Sequence, residues 1–464
     1  MELESNQFVI KLKEGNKMDR RSFVKNGAVA TAASALMGCS TPYASVKGSD
    51  RIKVGLIGCG GRGTAATCNM ISADQNVKIV AVADLFGDKP AGAVKKIAEH
   101  AKKLAGDKAI EIIDESKVKK FVGWDAVDQL LAEDVDVVIE ATPPVFRTPH
   151  YEKIVNAGKH AFLEKPACID ITQARKMFEL SDLADKKGLS VVCGTQRRYN
   201  DTYKDIIKRV QDGEIGEIIG LQAYWYGGYY VGGPQHDAME RAGILKGLAY
   251  EDMEYQIRNW FSFIWTSGDN IVEQHVHNLD VIMWALGDKH FPVEVRATGG
   301  RSNGLESPKY GDRFSHFSVD FDMGNGLRLL SVCQQDPGCS GGVGERIVGT
   351  KGIAYTQEWG GACTISDRKG KVIHTAPKDV APGLVMEHKC LLDSIRSGKR
   401  VNKINQLVNS TLLAIAGRLS AYSGMRFKYE WMLRKSKENI VPEKLHFGKN
   451  TNINVPICGK YKLS

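Results

Sequence analysis

The sequence predicts an α/β protein in which a doubly wound parallel sheet is followed by a second α/β domain with a mostly antiparallel sheet. Three observations predict it. Between residues 51 and 195 short apolar segments alternate with helix-forming ones, the pattern of a parallel sheet covered by helices on both faces. The first of these segments runs into Gly55-Leu56-Ile57-Gly58-Cys59-Gly60-Gly61-Arg62-Gly63, a glycine-rich passage from strand to helix. From about residue 293 the apolar period shifts toward two, as half-buried antiparallel strands require.

The bulk properties are compatible with this architecture. A chain of 464 residues is long enough for two cores, and 43% hydrophobic with 25% charged residues is ordinary for a globular protein. The net charge of +9 is spread along the chain without a nucleic-acid motif, so it reads as solvated surface and no nucleic-acid partner is expected. The ten cysteines show neither CxxC pairs nor zinc-finger spacing, and Cys59, Cys68, Cys168 and Cys193 fall in or beside apolar segments as small buried thiols do.

Before the first strand lies an address. Arg20-Arg21-Ser22-Phe23-Val24-Lys25 precedes a modest apolar run, Gly27 to Met37, which resembles a twin-arginine export signal and is too short for an ordinary spanning helix. Leu36-Met37-Gly38-Cys39 resembles a lipobox, which makes Cys39 a candidate lipid anchor. The expectation is an exported, periplasmic or envelope-associated protein, with residues 1–17 upstream of the signal and residues 40–50 a Ser/Thr/Pro/Gly-rich linker. Residues 1–50 are therefore assigned to signal and linker.

Taken in order, the strands expected in the first domain (51–195) are Ile52–Ile57, Lys78–Ala83, Val135–Ala141, Ala161–Leu163 and Leu189–Cys193. Helices are expected at about 64–72, 88–104 and 171–187, with an irregular stretch before residue 135. Gly58, Gly60 and Gly63 have the G-x-G-x-x-G spacing of a dinucleotide-binding turn, in which glycines allow the tight bend, the approach of a pyrophosphate and close helix packing. Gly61 and Arg62 complete that turn. Asp84 ends the second strand about 20 residues on, where a carboxylate accepts hydrogen bonds from ribose hydroxyls and repels a 2′-phosphate, so NAD is favoured over NADP.

Ala141-Thr142-Pro143-Pro144 with His150, then Ala157-Gly158-Lys159-His160-Ala161-Phe162-Leu163-Glu164-Lys165-Pro166, resemble the Gfo/Idh/MocA oxidoreductases, the group of glucose-fructose oxidoreductase and inositol dehydrogenase. The resemblance implies an N-terminal Rossmann domain and a C-terminal α/β domain whose open sheet face mediates homo-oligomer contacts. It implies that Thr142, Pro143, His150, Glu164 and Lys165 lie at the cofactor, with Lys165 reaching both nicotinamide and substrate. A lysine suits the task, since its ammonium hydrogen-bonds a reacting hydroxyl and, at a lowered pKa, can share the proton.

The second domain is placed at 196–430 and a basic, weakly patterned tail at 431–464. Gly216 to Tyr226 reads as a strand running into the aromatic patch Tyr224-Trp225-Tyr226, which fits a sugar face, an interface or a core equally. The segment from Gly227 to Ser267 is expected to shape a substrate site, with Tyr255, Arg258 and Trp260 as its contacts and Arg197 contributing from the preceding stretch. In Glu273-Gln274-His275-Val276-His277-Asn278-Leu279-Asp280 the family pattern Asp-x-x-x-His-x-x-Asp matches Glu273, His277 and Asp280, with Glu in place of the usual Asp. The match implies His277 as the acid/base, Asp280 at the substrate, and Glu273 one helical turn away orienting the imidazole. No metal site is expected, because His275 and His277 are two apart and point to opposite sides of a helix. Later strands are expected at 293–298, 314–321, 327–333 and 345–348, and helices at 383–397 and 404–423.

The function these readings support is hydride transfer between NAD, expected to be tightly held because no free pool exists outside the cytoplasm, and a hydroxyl or keto carbon of a sugar or glycoside. Two alternatives stand beside it: an NAD-dependent, redox-assisted glycoside hydrolase, as some relatives of the family are, and a non-catalytic nucleotide-binding sugar sensor.

Overall fold

The computed structural model describes residues 50–227, 234–302, 310–336, 338–358 and 361–464; the twin-arginine stretch, the lipobox and nearly all of the linker lie outside them. Six parallel strands form the first sheet: β1 (Ile52–Ile57), β2 (Val77–Asp84), β3 (Lys119–Val122), β4 (Val137–Glu140), β5 (His160–Leu163) and β6 (Val191–Cys193). Their order is β3-β2-β1-β4-β5-β6, so the chain reverses direction across the sheet between β1 and β4 and opens a crevice at their carboxyl ends. Strands β4, β5 and β6 are buried along their whole length, which is why they read as continuous apolar runs. The edge strand β3 carries Lys119 and Lys120 exposed and has no such run, so the sequence leaves it as irregular chain.

A second sheet contains β7 (Ile218–Tyr226), β8 (Glu294–Gly300), β9 (His316–Asp322), β10 (Arg328–Gln334), β11 (Gly342–Gly349), β12 (Gly352–Gln357), β13 (Thr364–Asp367), β14 (Val372–Thr375) and β15 (Phe427–Lys428). The order is β14-β13-β12-β11-β7-β10-β9-β8-β15, antiparallel except where β7 lies parallel to β10. Alternation along β7 divides the aromatic patch: Trp225 is buried with Leu221 and Ala223, whereas Tyr224 and Tyr226 stack on each other on the opposite face.

Helix Ile404–Ser423 joins the two sheets. It is buried along nearly its entire length and packs against β8 and β9 on one side and helix Ile171–Lys186 on the other. Arg418, fully buried within it, donates to the carbonyls of Ile169 (2.7 Å) and Gly268 (2.9 Å) and to Glu438 Oε1 (2.6 Å). One guanidinium thus ties together the loop after β5, the segment before His277 and the C-terminal tail. Helix Gly383–Ser397 turns back to pack on helix Gly61–Ala73, where Leu391, Leu392 and Ile395 enter the first sheet's core. Among the described residues no helix is long and apolar enough to cross a membrane, and the nine cysteines there are free.

Removing Arg418 leaves Glu438 buried without its cation, a change that costs about 3–5 kcal/mol when one partner of a buried pair is lost. Arg418→Met should therefore lower the unfolding free energy obtained from urea titration by that amount, and adding Glu438→Leu should restore part of it; a single variant as stable as wild type refutes the role.

Candidate active site

The site assembles from successive strand ends. Gly58 follows β1 at φ +93°, a conformation that favours glycine, and a Cβ there would lie 2.7 Å from the Ala141 carbonyl carbon. On Gly63 a Cβ would come within 1.9 Å of the Gly58 oxygen, so this glycine lets the helix close onto the turn. On Gly60 and Gly61 a Cβ would meet nothing within 4 Å, because both face the open groove, and helix Gly61–Ala73 begins there with its free N–H groups. The helix starts three residues earlier than its sequence pattern suggests, which brings the positive end of its dipole to the cradle. Asp84, at the end of β2, accepts the N–H groups of Cys59 (2.7 Å) and Phe86 (2.9 Å), and burial pushes its carboxyl above the ordinary range. These residues fit a dinucleotide: Gly60, Gly61 and Arg62 would hold its diphosphate and Asp84 a ribose.

The groove has a volume of about 620 Å³, within the range of ligand sites, and continues past Thr142, Pro143 and His150. Its geometry there depends on Arg147, which sequence reasoning missed. Arg147 is buried and donates to Glu140 Oε2 (2.8 Å), the Thr142 carbonyl (2.8 Å) and the Pro166 carbonyl (2.7 Å). Burial alone would raise the Glu140 carboxyl; the Arg147 guanidinium, with His150 and Thr142, overcomes it and holds the group below its usual range. A buried cation in the second turn of a helix that begins Pro144-Val145-Phe146 is the signal that could have found it.

Register places the Glu164-Lys165 pair beside Thr142, since Glu140 of β4 pairs with Leu163 of β5. Glu164 meets Arg62 of the glycine turn at 2.6 Å. The Lys165 ammonium donates to Glu273 Oε1 (2.6 Å) and to the Glu273 carbonyl (2.5 Å), bringing the second domain onto the first. This corrects the expected Glu273–His277 pairing: the helix breaks between Asn270–Glu273 and Val276–Ala285, and the carboxylate turns to Lys165 instead. His277 stacks on Trp225 with centroids 6.2 Å apart. Burial, then the positive charges of Lys165, Arg197 and Arg62, hold its imidazole well below the ordinary value, so it is neutral. His275 points elsewhere, to Ser331 Oγ at 2.8 Å, as the two-residue spacing requires.

The five expected substrate contacts are placed differently. Asp280 is buried against Arg198 (2.7 Å) and Ser410 (2.8 Å), an internal ion pair rather than a free carboxylate. Arg197 is buried against Glu345 (2.8 Å) and Glu358, between the rings of Tyr203 and Trp225, so it supports the wall behind His277. Burial pushes Glu345 up to about 7 against the pull of Arg197. Arg258 and Trp260 line the dinucleotide groove; Arg258 pairs with Asp88 (3.1 Å) and lies 3.8 Å from the Phe86 ring centroid. Tyr255 is buried, its hydroxyl 2.9 Å from His236 Nε2. His236, Asp237 and Glu240 also place three potential metal-ligand atoms within 4.8 Å of one another, a grouping that attention to His275 and His277 alone passes over. Residues 228–233 of this insertion lie outside the described residues.

Strand order, glycine cradle and Asp84 together define a Rossmann fold whose cradle fits a dinucleotide. Residues 52–195 match the model of the Gfo/Idh/MocA oxidoreductase family, described as having an NAD-binding Rossmann fold. Among curated relatives, glycosyl hydrolase family 109 protein 2 of Shewanella sp. (strain ANA-3) is 30% identical over 227 residues, covering 44% of this chain and 46% of that protein. Inositol 2-dehydrogenase of Corynebacterium glutamicum is 27% identical over 184 residues, covering 39% and 45%. The chain thus spans about half the length of the curated relatives it matches. A crystal structure of scyllo-inositol dehydrogenase from Lactobacillus casei with NAD(H) and scyllo-inositol has a TM-score of 0.60 at 19% identity, over 82% of this chain and all of that one. That of GenD2 from gentamicin A biosynthesis with NAD has 0.59 at 17%, over 87% of this chain and 99% of that one. At these identities the likeness is one of fold, and it extends through the second sheet.

Beneath the glycine turn, Glu387 and His388 are fully buried, and neither has a hydrogen-bond partner among the described residues. Burial, then Arg62, lowers His388 to about 3, whereas an unfolded imidazole titrates near 6.5. Between those values the unfolded chain binds the extra proton, so stability is full above about pH 6.5 and falls as pH drops toward 3. In urea titrations His388→Gln should make that fall shallower by about 1.4 kcal/mol per pH unit. An unchanged slope removes His388 from the acid response.

Proposed function

We propose that this protein is an NAD-dependent oxidoreductase that moves hydride between the nicotinamide and a hydroxyl- or keto-bearing carbon of a sugar or sugar alcohol. The observation that carries the reading is the contact of Lys165 with Glu273, which draws the segment bearing His277 onto the strand ends where the dinucleotide cradle lies. When bound, the nicotinamide supplies the hydride acceptor.

The chain's own residues then handle the substrate hydroxyl. Lys165 has three N–H donors and spends two on Glu273, which fixes its direction and leaves one for the substrate oxygen. Glu273 Oε2 has no hydrogen-bond partner among the described residues, so this carboxylate keeps an acceptor free for a substrate hydroxyl. His277, neutral for the reasons given, accepts the hydroxyl proton; its stack on Trp225, backed by Arg197, fixes the ring plane. Arg147, through the Pro166 and Thr142 carbonyls, holds both strand-end loops in register with one another.

A second reading, redox-assisted glycoside cleavage with NAD regenerated in each turnover, is favoured by the likeness to the Shewanella protein. One assay separates them. Purified protein is offered inositols, sugars and aryl glycosides while NADH absorbance and released aglycone are followed together. Net NADH from a polyol or sugar supports the dehydrogenase, and aglycone without net NADH supports the glycosidase. In either case Lys165→Ala should lower kcat at least about 100-fold, the usual scale of lost acid/base catalysis, while NAD still binds. Unchanged turnover sinks the assignment of Lys165.

The reading extends to an exported protein, through Arg20-Arg21 and the Cys39 lipobox, that carries its NAD tightly bound. The open face of the second sheet, where exposed Leu330 lies beside Gln222 and near Tyr224, supports a homo-oligomer. Cell fractionation followed by mass spectrometry of the released nucleotide tests export and retention together: the expected result is protein with NAD in the envelope fraction, and cytoplasmic protein without nucleotide overturns it.

A further inference from the structure

We infer that the C-terminal tail is part of the cofactor site, a strap whose Phe447 closes the adenosine end of the groove and slows the release of NAD. The inference rests on the NAD reading above and assigns new residues to it.

The groove beside Asp84 is walled by Phe86, which follows β2, and Trp124, which follows β3. Phe447, more than 300 residues further along the chain, lies against both: its ring stacks on Phe86 (6.1 Å, 22°) and meets Trp124 edge-on (5.3 Å, 61°). Trp124 in turn contacts Phe146, and Phe146 stacks on His150 (5.7 Å). Phe86, Trp124, Phe146 and His150 thus form a row of rings along the groove from Asp84 onward, and the tail's Phe447 bridges the first two. An adenine ring entering between aromatic walls gains stacking surface, and a ring laid across those walls stands in its way out.

The chain on both sides of Phe447 is fastened. Upstream, Glu438 holds Arg418, the Ile440 N–H donates to Asp170 (3.0 Å), and Ile440, Val441 and Leu445 pack on the apolar cluster that contains Phe86 and Phe146. Downstream, the Gly448 carbonyl accepts the Met253 N–H (2.8 Å), Lys449 pairs with Asp252 (2.8 Å), and Asn450 exchanges hydrogen bonds with Gln256 and the Glu251 carbonyl. Those downstream partners belong to the insertion that supplies Met239, Arg258 and Trp260 to the groove. The tail thus binds the insertion down over the cofactor. Phe447 itself is 44% exposed, so it is held by two ring contacts and by the backbone anchors rather than by burial. Release of the anchors at 448–450 frees the ring and the insertion together, without disturbing the sheet beneath.

The test measures cofactor release rather than turnover. Full-length protein is loaded with NADH, diluted into excess ADP-ribose, and the loss of bound-NADH fluorescence is timed. For Phe447→Ala the release rate should rise about tenfold and for Phe447→Trp stay close to wild type, as expected when a contact acts on the off-rate. Asn450→Ala, which changes an anchor and no groove residue, should raise it by about threefold. Release from Phe447→Ala and Asn450→Ala within about twofold of wild type overturns the strap while leaving the NAD reading intact. Wild-type protein that takes up no NADH overturns both.

Discussion

The site depends first on the buried pair of Glu140 and Arg147. A carboxylate and a guanidinium removed from water at the end of β4 are stable only when every remaining donor is used. Here Arg147 uses its donors on Glu140 and on the Thr142 and Pro166 carbonyls, so the cost of burying the charge is offset by fixing two loops. Those two loops carry the groove wall at Thr142 and His150 and the ammonium of Lys165. Lys165 and the groove wall are therefore positioned by one cation buried behind them.

A second layer of charge lies behind the first. Arg197 with Glu345 and Arg198 with Asp280 stand on either side of the segment bearing His277, and both are internal. Burial depresses the imidazole most, followed by Lys165 and then Arg197, while the carboxylates of both pairs offset the charge of their own arginines. The apolar rings of Trp225, Trp284 and Tyr203 lie over these guanidinium groups, which favours flat contact over solvent exposure.

How much of this is legible in the sequence follows from how local each feature is. The glycine turn, Asp84, the apolar runs of β1, β2, β4, β5 and β6 and the helices Gly383–Ser397 and Ile404–Ser423 depend on neighbours within a few residues, and the sequence pattern finds them. Lys165 and His277 are legible through their surrounding motifs. What fails is whatever depends on a distant partner. Asp280 looks like a free carboxylate until Arg198, far upstream, is brought against it; Glu273 looks like a neighbour of His277 until the helix breaks and Lys165 arrives. Strand β3 and the short strands β12 to β14 lack a strong periodic pattern of their own, and hydrogen bonds to neighbouring strands define them.

The return of the chain at Gly383–Ser397 gives the first sheet a partner it cannot do without. Val191 of β6 exchanges backbone hydrogen bonds with Val401 and Lys403, and Leu391, Leu392 and Ile395 fill the space over helix Gly61–Ala73. The nucleotide-binding layer thus has apolar surface covered only once some 200 residues of the other layer have been threaded through. Free energy that a nucleotide contributes at the glycine cradle is therefore carried into the returning helix as well, and binding stabilises the packing between the layers and not the first sheet alone.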